Sequence, residues 1–194
     1  MTRDKIKKAA LSLFVKNGYE GAHVAEIAKA VNIKTASLYF HFESKEKLFL
    51  EIFYDLLHEK LKSIEAANEF INQMDSVQEQ LFFLYTDYYK WVDGYQDEMV
   101  FWKRTALFPP SFLEDQIRKE LITYEQRYVA VLLEPVFLKG MALHVLKDQD
   151  VNRLIVGFLG LMAAVFSEIH YSEPAVYQKK LEILWENFWD SIKK

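Results

Sequence analysis

Residues 34 to 45 read Lys-Thr-Ala-Ser-Leu-Tyr-Phe-His-Phe-Glu-Ser-Lys, a short run that mixes hydrogen-bonding side chains with buried-type apolar ones. On a helix from Thr35 to Phe42, the side chains of Thr35, Ser37, Tyr39 and His41 look outward while Leu38 and Phe42 look into a core. The chemistry such a surface offers is donation to acidic oxygens and to base edges. A phenol, an imidazole and the Lys45 ammonium, the last beside a positive helix terminus, are suited to phosphate. Lys34, Thr35 and Ser37, nearer the start of the helix, are suited to the floor of a major groove.

Patterns for catalysis are missing by comparison. The five histidines, His23, His41, His58, His144 and His170, form no His-Glu-x-x-His pair, and neither a Gly-rich phosphate loop nor a Gly-x-Ser-x-Gly turn occurs. The absence of cysteine removes disulfides, thiolate metal sites and a thiol nucleophile. Glu168, His170 and Glu173 cluster near a helix end and could ligate a metal, but a solvated polar terminus is the commoner meaning. The expectation is no enzyme, no metal and no cofactor.

The elements that must position residues 34 to 45 are short helices. Ile6, Ala9, Ala10, Leu13 and Phe14 recur at helical spacing from Thr2, and Asn17-Gly18 supplies a stop. Val24, Ile27, Ala28 and Val31 mark a second brief helix, and Asn32-Ile33-Lys34 reads as a tight turn into the third. Two short helices joined this way suggest a helix-turn-helix, whose second helix enters a major groove. Charge agrees: residues 1–50 hold 9 basic and 5 acidic residues, net +4, whereas the rest hold 15 basic and 23 acidic, net −8, within an overall −4. A small basic module is joined to a large acidic body, the footprint that phosphate binding requires.

Leu38-Tyr39-Phe40-His41-Phe42 followed by Ser44-Lys45 resembles the signature of the tetracycline-repressor (TetR) family, and the likeness extends through Phe14, Gly18, Ile27 and Ala28 over about the first fifty residues. The resemblance implies an all-α chain: an N-terminal three-helix helix-turn-helix domain, residues 1–47, followed by a larger helical ligand-binding and dimerisation domain, residues 48–194. It further implies a bacterial, cytoplasmic, DNA-binding transcriptional regulator. That regulator would be a homodimeric repressor that releases double-stranded operator DNA on binding a hydrophobic or aromatic small molecule. Two positions depart from the pattern. His23 stands where a capping Thr or Ser is common, which puts its phosphate contact in question. Ala36 stands where Gly is common, which keeps the backbone from approaching a base very closely.

In the acidic body, Ser44 should cap a fourth helix running to about Ala67, with further helices over 75–93 and 96–108, the latter ended by Pro109-Pro110. A long helix from Ser111 to about Gly140 should kink at Pro135. Rings crowd the stretch from Phe82 to Tyr128, and Tyr85, Tyr89, Trp102, Tyr124 and Tyr128 are the candidates for lining an effector pocket, although roughly half of such rings serve only as core. Lys103-Arg104 could pair with an acidic headgroup or simply be a solvated face. The last two helices, 151–171 and 175–192, carry wide apolar surfaces. Ile155, Phe158, Leu159, Met162, Phe166, Leu181, Leu184, Trp185 and Phe188 are expected at a two-fold interface. The longest apolar run, Leu154 to Phe166, is 13 residues and too short for a bilayer, so no membrane association is expected. Two rival classes are an aromatic-cored enzyme or lipid carrier, and a plain structural bundle. Neither accounts for a basic charge excess that coincides with the turn between short helices.

Overall fold

The computed structural model describes residues 2–94 and 96–194. It is all-helical, as expected, and helices are the elements that position every candidate residue. They are α1 (Thr2–Gly21), α2 (Val24–Ala30), α3 (Thr35–Tyr39), α4 (Lys45–Ile71), α5 (Val77–Gly94), α6 (Gln96–Leu107), α7 (Glu114–Tyr128), α8 (Glu134–Ala142), α9 (Val151–Tyr171) and α10 (Pro174–Ile192). A 3-10 turn, Ser111–Leu113, leads into α7, and a π turn, Val129–Leu133, joins α7 to α8. The long helix expected from Ser111 to about Gly140 thus begins at Glu114 and runs on through the π turn, with Tyr128, Leu133 and Glu134 all right-handed helical. Its irregularity falls just before Pro135, which lies in the first turn of α8. A proline ring lacks the N–H that would bond one turn back and crowds the carbonyl there, and a widened turn is one way a helix absorbs both.

Two compact units emerge from the packing. The first holds the described residues of Met1–Leu61 and Tyr95–Tyr124, the second those of Lys62–Gly94 and Glu125–Lys194. In the first, Phe14, Phe49 and Phe101 form the centre. The Phe14 and Phe49 rings meet edge to face at 5.1 Å, and Phe101 lies 5.1 Å from Phe49. Helix α6 is therefore part of the core beneath the helix-turn-helix, a partnership that periodicity could not show.

Helix α1 breaks at Gly18, whose φ of 72° and ψ of 179° are open only to glycine. The Asn17-Gly18 stop is real, and the chain resumes a last turn that delivers Ala22 into the core. After α2, Asn32 takes φ 56° and the Ile33 amide bonds back to the Ala28 carbonyl at 3.0 Å. This left-handed closure ends the helix sharply and starts α3. Ser44 caps α4, its Oγ accepting from the Lys47 amide at 3.1 Å.

In the second unit α5 packs on α8 and α9, and α9 on α10. Leu81, Phe137, Phe158 and Val165 are fully buried there. The Tyr85 hydroxyl donates to the Leu181 carbonyl at 2.8 Å, and burial pushes this phenol above its ordinary range. The Tyr177 hydroxyl donates to Asp93 at 3.0 Å and is pushed up to about 12, by burial first and then by that carboxylate. The chain end is pinned by backbone bonds: the Lys147 amide to the Ile192 carbonyl, and the Lys194 amide to the Val145 carbonyl.

Candidate nucleic-acid interface

Helix α3 is one and a half turns long, shorter than the run to Phe42 suggested by pattern, because the chain tightens after Tyr39. The amides of His41 and Phe42 both bond to the Leu38 carbonyl, at 2.9 and 3.1 Å. The inward pair is as expected: Leu38 is fully buried and Phe42 nearly so. On the other side Lys34, Thr35 and Tyr39 are exposed, and Ser37 and His41 are half-buried. All these residues lie in the first compact unit, within one short segment, and α3 packs on α2. The arrangement leaves hydroxyl, imidazole and ammonium groups exposed or half-buried on and beside a short helix held by a buried leucine.

What holds the segment comes from α1. The Arg3 guanidinium sits 4.2 Å from the centre of the Phe42 ring, donates to the His41 carbonyl, and pairs with Glu51 on α4. Lys7 adds a bond to Asp55 at 2.6 Å and a longer pairing with Glu51 at 3.4 Å. Burial pushes the Glu51 carboxyl up, but the hydrogen bonds and charges of Arg3 and Lys7 outweigh it and hold the group below the usual carboxylate range. Arg3 and Lys7 were not singled out from sequence, because a basic residue in a first helix reads as surface until its partner 48 positions away is known.

Two candidates take a different setting from the one their type suggests. Lys45 is half-buried, and its ammonium donates to the Tyr19 carbonyl at 2.8 Å and lies 4.3 Å from the centre of the Tyr19 ring. It ties the first turn of α4 to the end of α1. His23 is exposed and occupies the cap position of α2 without any side-chain bond to the helix, so an imidazole indeed fails to replace a short capping oxygen there.

The pocket candidates are divided between the two units. Trp102 and Tyr124 belong to the first unit, where Trp102 stacks on Phe53 at 5.8 Å and meets Tyr124 edge to face at 5.4 Å. Tyr85, Tyr89 and Tyr128 belong to the second, where the Tyr85 hydroxyl is committed to Leu181 and that of Tyr128 lies 3.6 Å from the Met162 sulfur. A groove of about 390 Å³ in that unit is lined by Ser63, Ala66, Ala67, Phe70, Phe83 and Asp87, none of them a candidate. Arg104 is exposed, lies against Gly18 and donates to the Val15 carbonyl at 3.4 Å. Among the described residues no group of His, Asp and Glu is placed to hold a metal ion. Glu168 instead accepts from Lys180 at 2.7 Å and Ser172 at 2.9 Å.

The expected interface residues divide by burial. Ile155, Phe158, Met162, Leu181 and Trp185 are buried in the chain's own core. Leu159, Phe166, Leu184 and Phe188 are half-buried. The truly exposed stripe is Val156, Gly157, Gly160 and Ala163 on α9, with Ile183 on α10. Apolar residues all round α9 hid which side was which. This helix is long and apolar enough to span a membrane by length and composition alone, but one such helix is weak evidence, and its Leu154, Phe158 and Val165 side is buried in protein.

Residues 6–52 match the family described as bacterial regulatory proteins, tetR family. IcaR of Staphylococcus aureus (strain Newman), the negative transcriptional regulator of the biofilm operon icaADBC, is 51% identical over 47 residues, 24% of this chain and 25% of IcaR. The chain therefore spans about a quarter of the length of that curated relative. Over nearly its whole length the chain shares its fold with solved transcriptional regulators of low sequence identity. The ketosteroid transcriptional regulator KstR2 of Mycobacterium tuberculosis superposes with a TM-score of 0.69 at 20% identity, covering 100% of this chain and 96% of its own. The transcriptional regulator FadR of Bacillus subtilis, in complex with stearoyl-CoA, gives 0.66 at 21%, covering 93% and 96%.

Proposed function

We propose that this chain, which belongs to the TetR family of bacterial regulatory proteins, is a transcriptional repressor that binds operator DNA as a homodimer and lets go when a small molecule occupies its larger helical part. The observation that carries this reading is α3: a buried Leu38 beneath, and Lys34, Thr35, Ser37, Tyr39 and His41 reachable from solvent above. In this reading residues 1–47 form the DNA-reading portion and residues 48–194 the regulatory one. Lys34, Thr35 and Ser37 read base edges, and Tyr39 and His41 hold phosphates. An ammonium has three donors, so Lys45 can serve a phosphate as well as Tyr19. His23 joins them in this reading, supported by its exposure and by the lack of a cap bond to its own helix.

Dimerisation is assigned to α9 and α10, through the exposed Val156, Gly160, Ala163 and Ile183 with the half-buried Leu159, Phe166, Leu184 and Phe188 at their margin. Small residues let two helices approach closely, and an apolar stripe left in water calls for a partner. The effector is assigned to an apolar class. The stearoyl-CoA held by FadR and the ketosteroid for which KstR2 is named support that class, as do the rings of Tyr89 and Tyr128 in the second unit.

Fluorescence anisotropy with a labelled random duplex tests the DNA reading. Binding should weaken steeply as salt rises, with a log-log slope of several units. Selection from a randomised pool should then return a palindrome with half-sites about one helical turn or more apart. Absence of salt-dependent duplex binding would refute the proposal. A thermal-shift screen of fatty acyl compounds and polycyclic ketones tests the effector class, since a binder raises the melting point and should lower DNA affinity by linkage.

A further inference from the structure

Phe40 is 88% exposed, at the end of the very segment proposed to meet DNA. An isolated phenylalanine ring almost wholly in water is a poor choice for a surface whose other members are polar. Its direction is not a matter of slack. Leu38 before it and Phe42 after it are both buried, the amides of His41 and Phe42 close on the Leu38 carbonyl, and Arg3 holds the next carbonyl and the face of the Phe42 ring. With both neighbours pinned inward, the ring of Phe40 is thrust outward by the backbone itself. Position 40 is also the one the family signature leaves unspecified, so nothing assigned a role to it.

We infer that Phe40 is a specificity-determining residue whose ring makes apolar contact with the C5-methyl group of a thymine in the major groove. The inference rests on the DNA-binding reading above and deepens it. A benzyl side chain neither donates nor accepts, so it gains nothing from phosphates or from the polar atoms of base edges. The thymine methyl is the apolar group that base pairs present in the major groove, and aromatic side chains suit it. Tyr39, 49% exposed beside it, supplies the phosphate-bonding hydroxyl that Phe40 lacks. The pair then divides the work between rail and base.

The test uses the full-length protein and the half-site obtained by selection. Each thymine is replaced in turn by deoxyuridine, which removes only the methyl. Wild type should lose on the order of fourfold in affinity at one thymine per half-site, the effect of un-burying one methyl group. Phe40→Ala should bind the thymine and uracil duplexes equally, and Phe40→Leu should retain part of the preference. Because Phe40 touches no core, Phe40→Ala should melt as wild type does, which separates lost contact from lost fold. Uniform indifference of wild type to every methyl, undiminished discrimination by Phe40→Ala, or equal loss on both duplexes would each overturn the assignment. Failure of wild type to bind duplex DNA at all would instead overturn the reading on which it rests, and this inference with it.

Discussion

Replacing Gly18 by alanine should destabilise the protein through backbone strain and not through crowding. At φ 72° and ψ 179° Gly18 lies in a region that side-chain-bearing residues scarcely enter, at a cost of about 1–3 kcal/mol. Restricting the unfolded chain returns roughly 0.4–1 kcal/mol of that. The net loss is therefore about 1–2 kcal/mol, which for a chain of this size lowers the melting point by roughly 2–8 °C. An added Cβ would also come within 2.6 Å of the Arg104 Nη2, but this is the tip of a flexible, exposed side chain that can swing aside. Melting followed by circular dichroism at fixed protein concentration reads the effect. Gly94→Ala serves as the control, since its Cβ would meet nothing within 4 Å and its φ is ordinary. The double variant Gly18→Ala with Arg104→Ala should stay as unstable as Gly18→Ala alone. Full recovery in the double variant, or an unchanged melting point in the single one, would show the strain argument to be wrong.

Three further outcomes are expected. Lys45→Ala should weaken binding to all duplexes about equally and flatten the salt slope by about one unit, whereas Thr35→Ala should alter sequence preference; an unchanged slope would confine Lys45 to its tie with Tyr19. Glu51 has a depressed pKa when folded, so its contribution is full above about 4.5 and fades as pH falls through the folded value. Acid titration of stability should accordingly be shallower for Glu51→Gln, and parallel curves would argue against the Arg3 and Lys7 pairing. Val156→Asp, at a position 68% exposed, should leave the fold intact and convert the proposed dimer to monomer in sedimentation velocity; a dimer persisting in the variant would move the interface elsewhere, and a monomeric wild type would refute dimerisation.

Local rules made the first fifty residues legible. Gly18 and Asn32 ended helices where a left-handed or extended glycine-like conformation was needed, Ser44 capped α4, and Leu38 and Phe42 faced inward because period and polarity agreed. Legibility failed where the information was tertiary. Aromatic residues spaced along α5 to α7 could not reveal that Trp102 pairs with Phe53 while Tyr85 bonds to Leu181. On α9, apolar residues on both sides carried no signal for choosing Val156 and Ala163 over Ile155 and Phe158 as the outward set. Phe40 escaped notice because a signature defined by its buried and bonded positions is silent about the one between them.

The ring cluster under the helix-turn-helix sets the smallest piece that can be transplanted. Phe14 packs on Phe49 and lies 6.3 Å from Phe101, and those two come from α4 and α6. A chimera spliced after residue 47 would carry the reading surface onto a foreign body while leaving its foundation behind. A swap that also moves α6 and the start of α4 keeps the aromatic floor intact, so the portable cassette is discontinuous in the gene although contiguous in space.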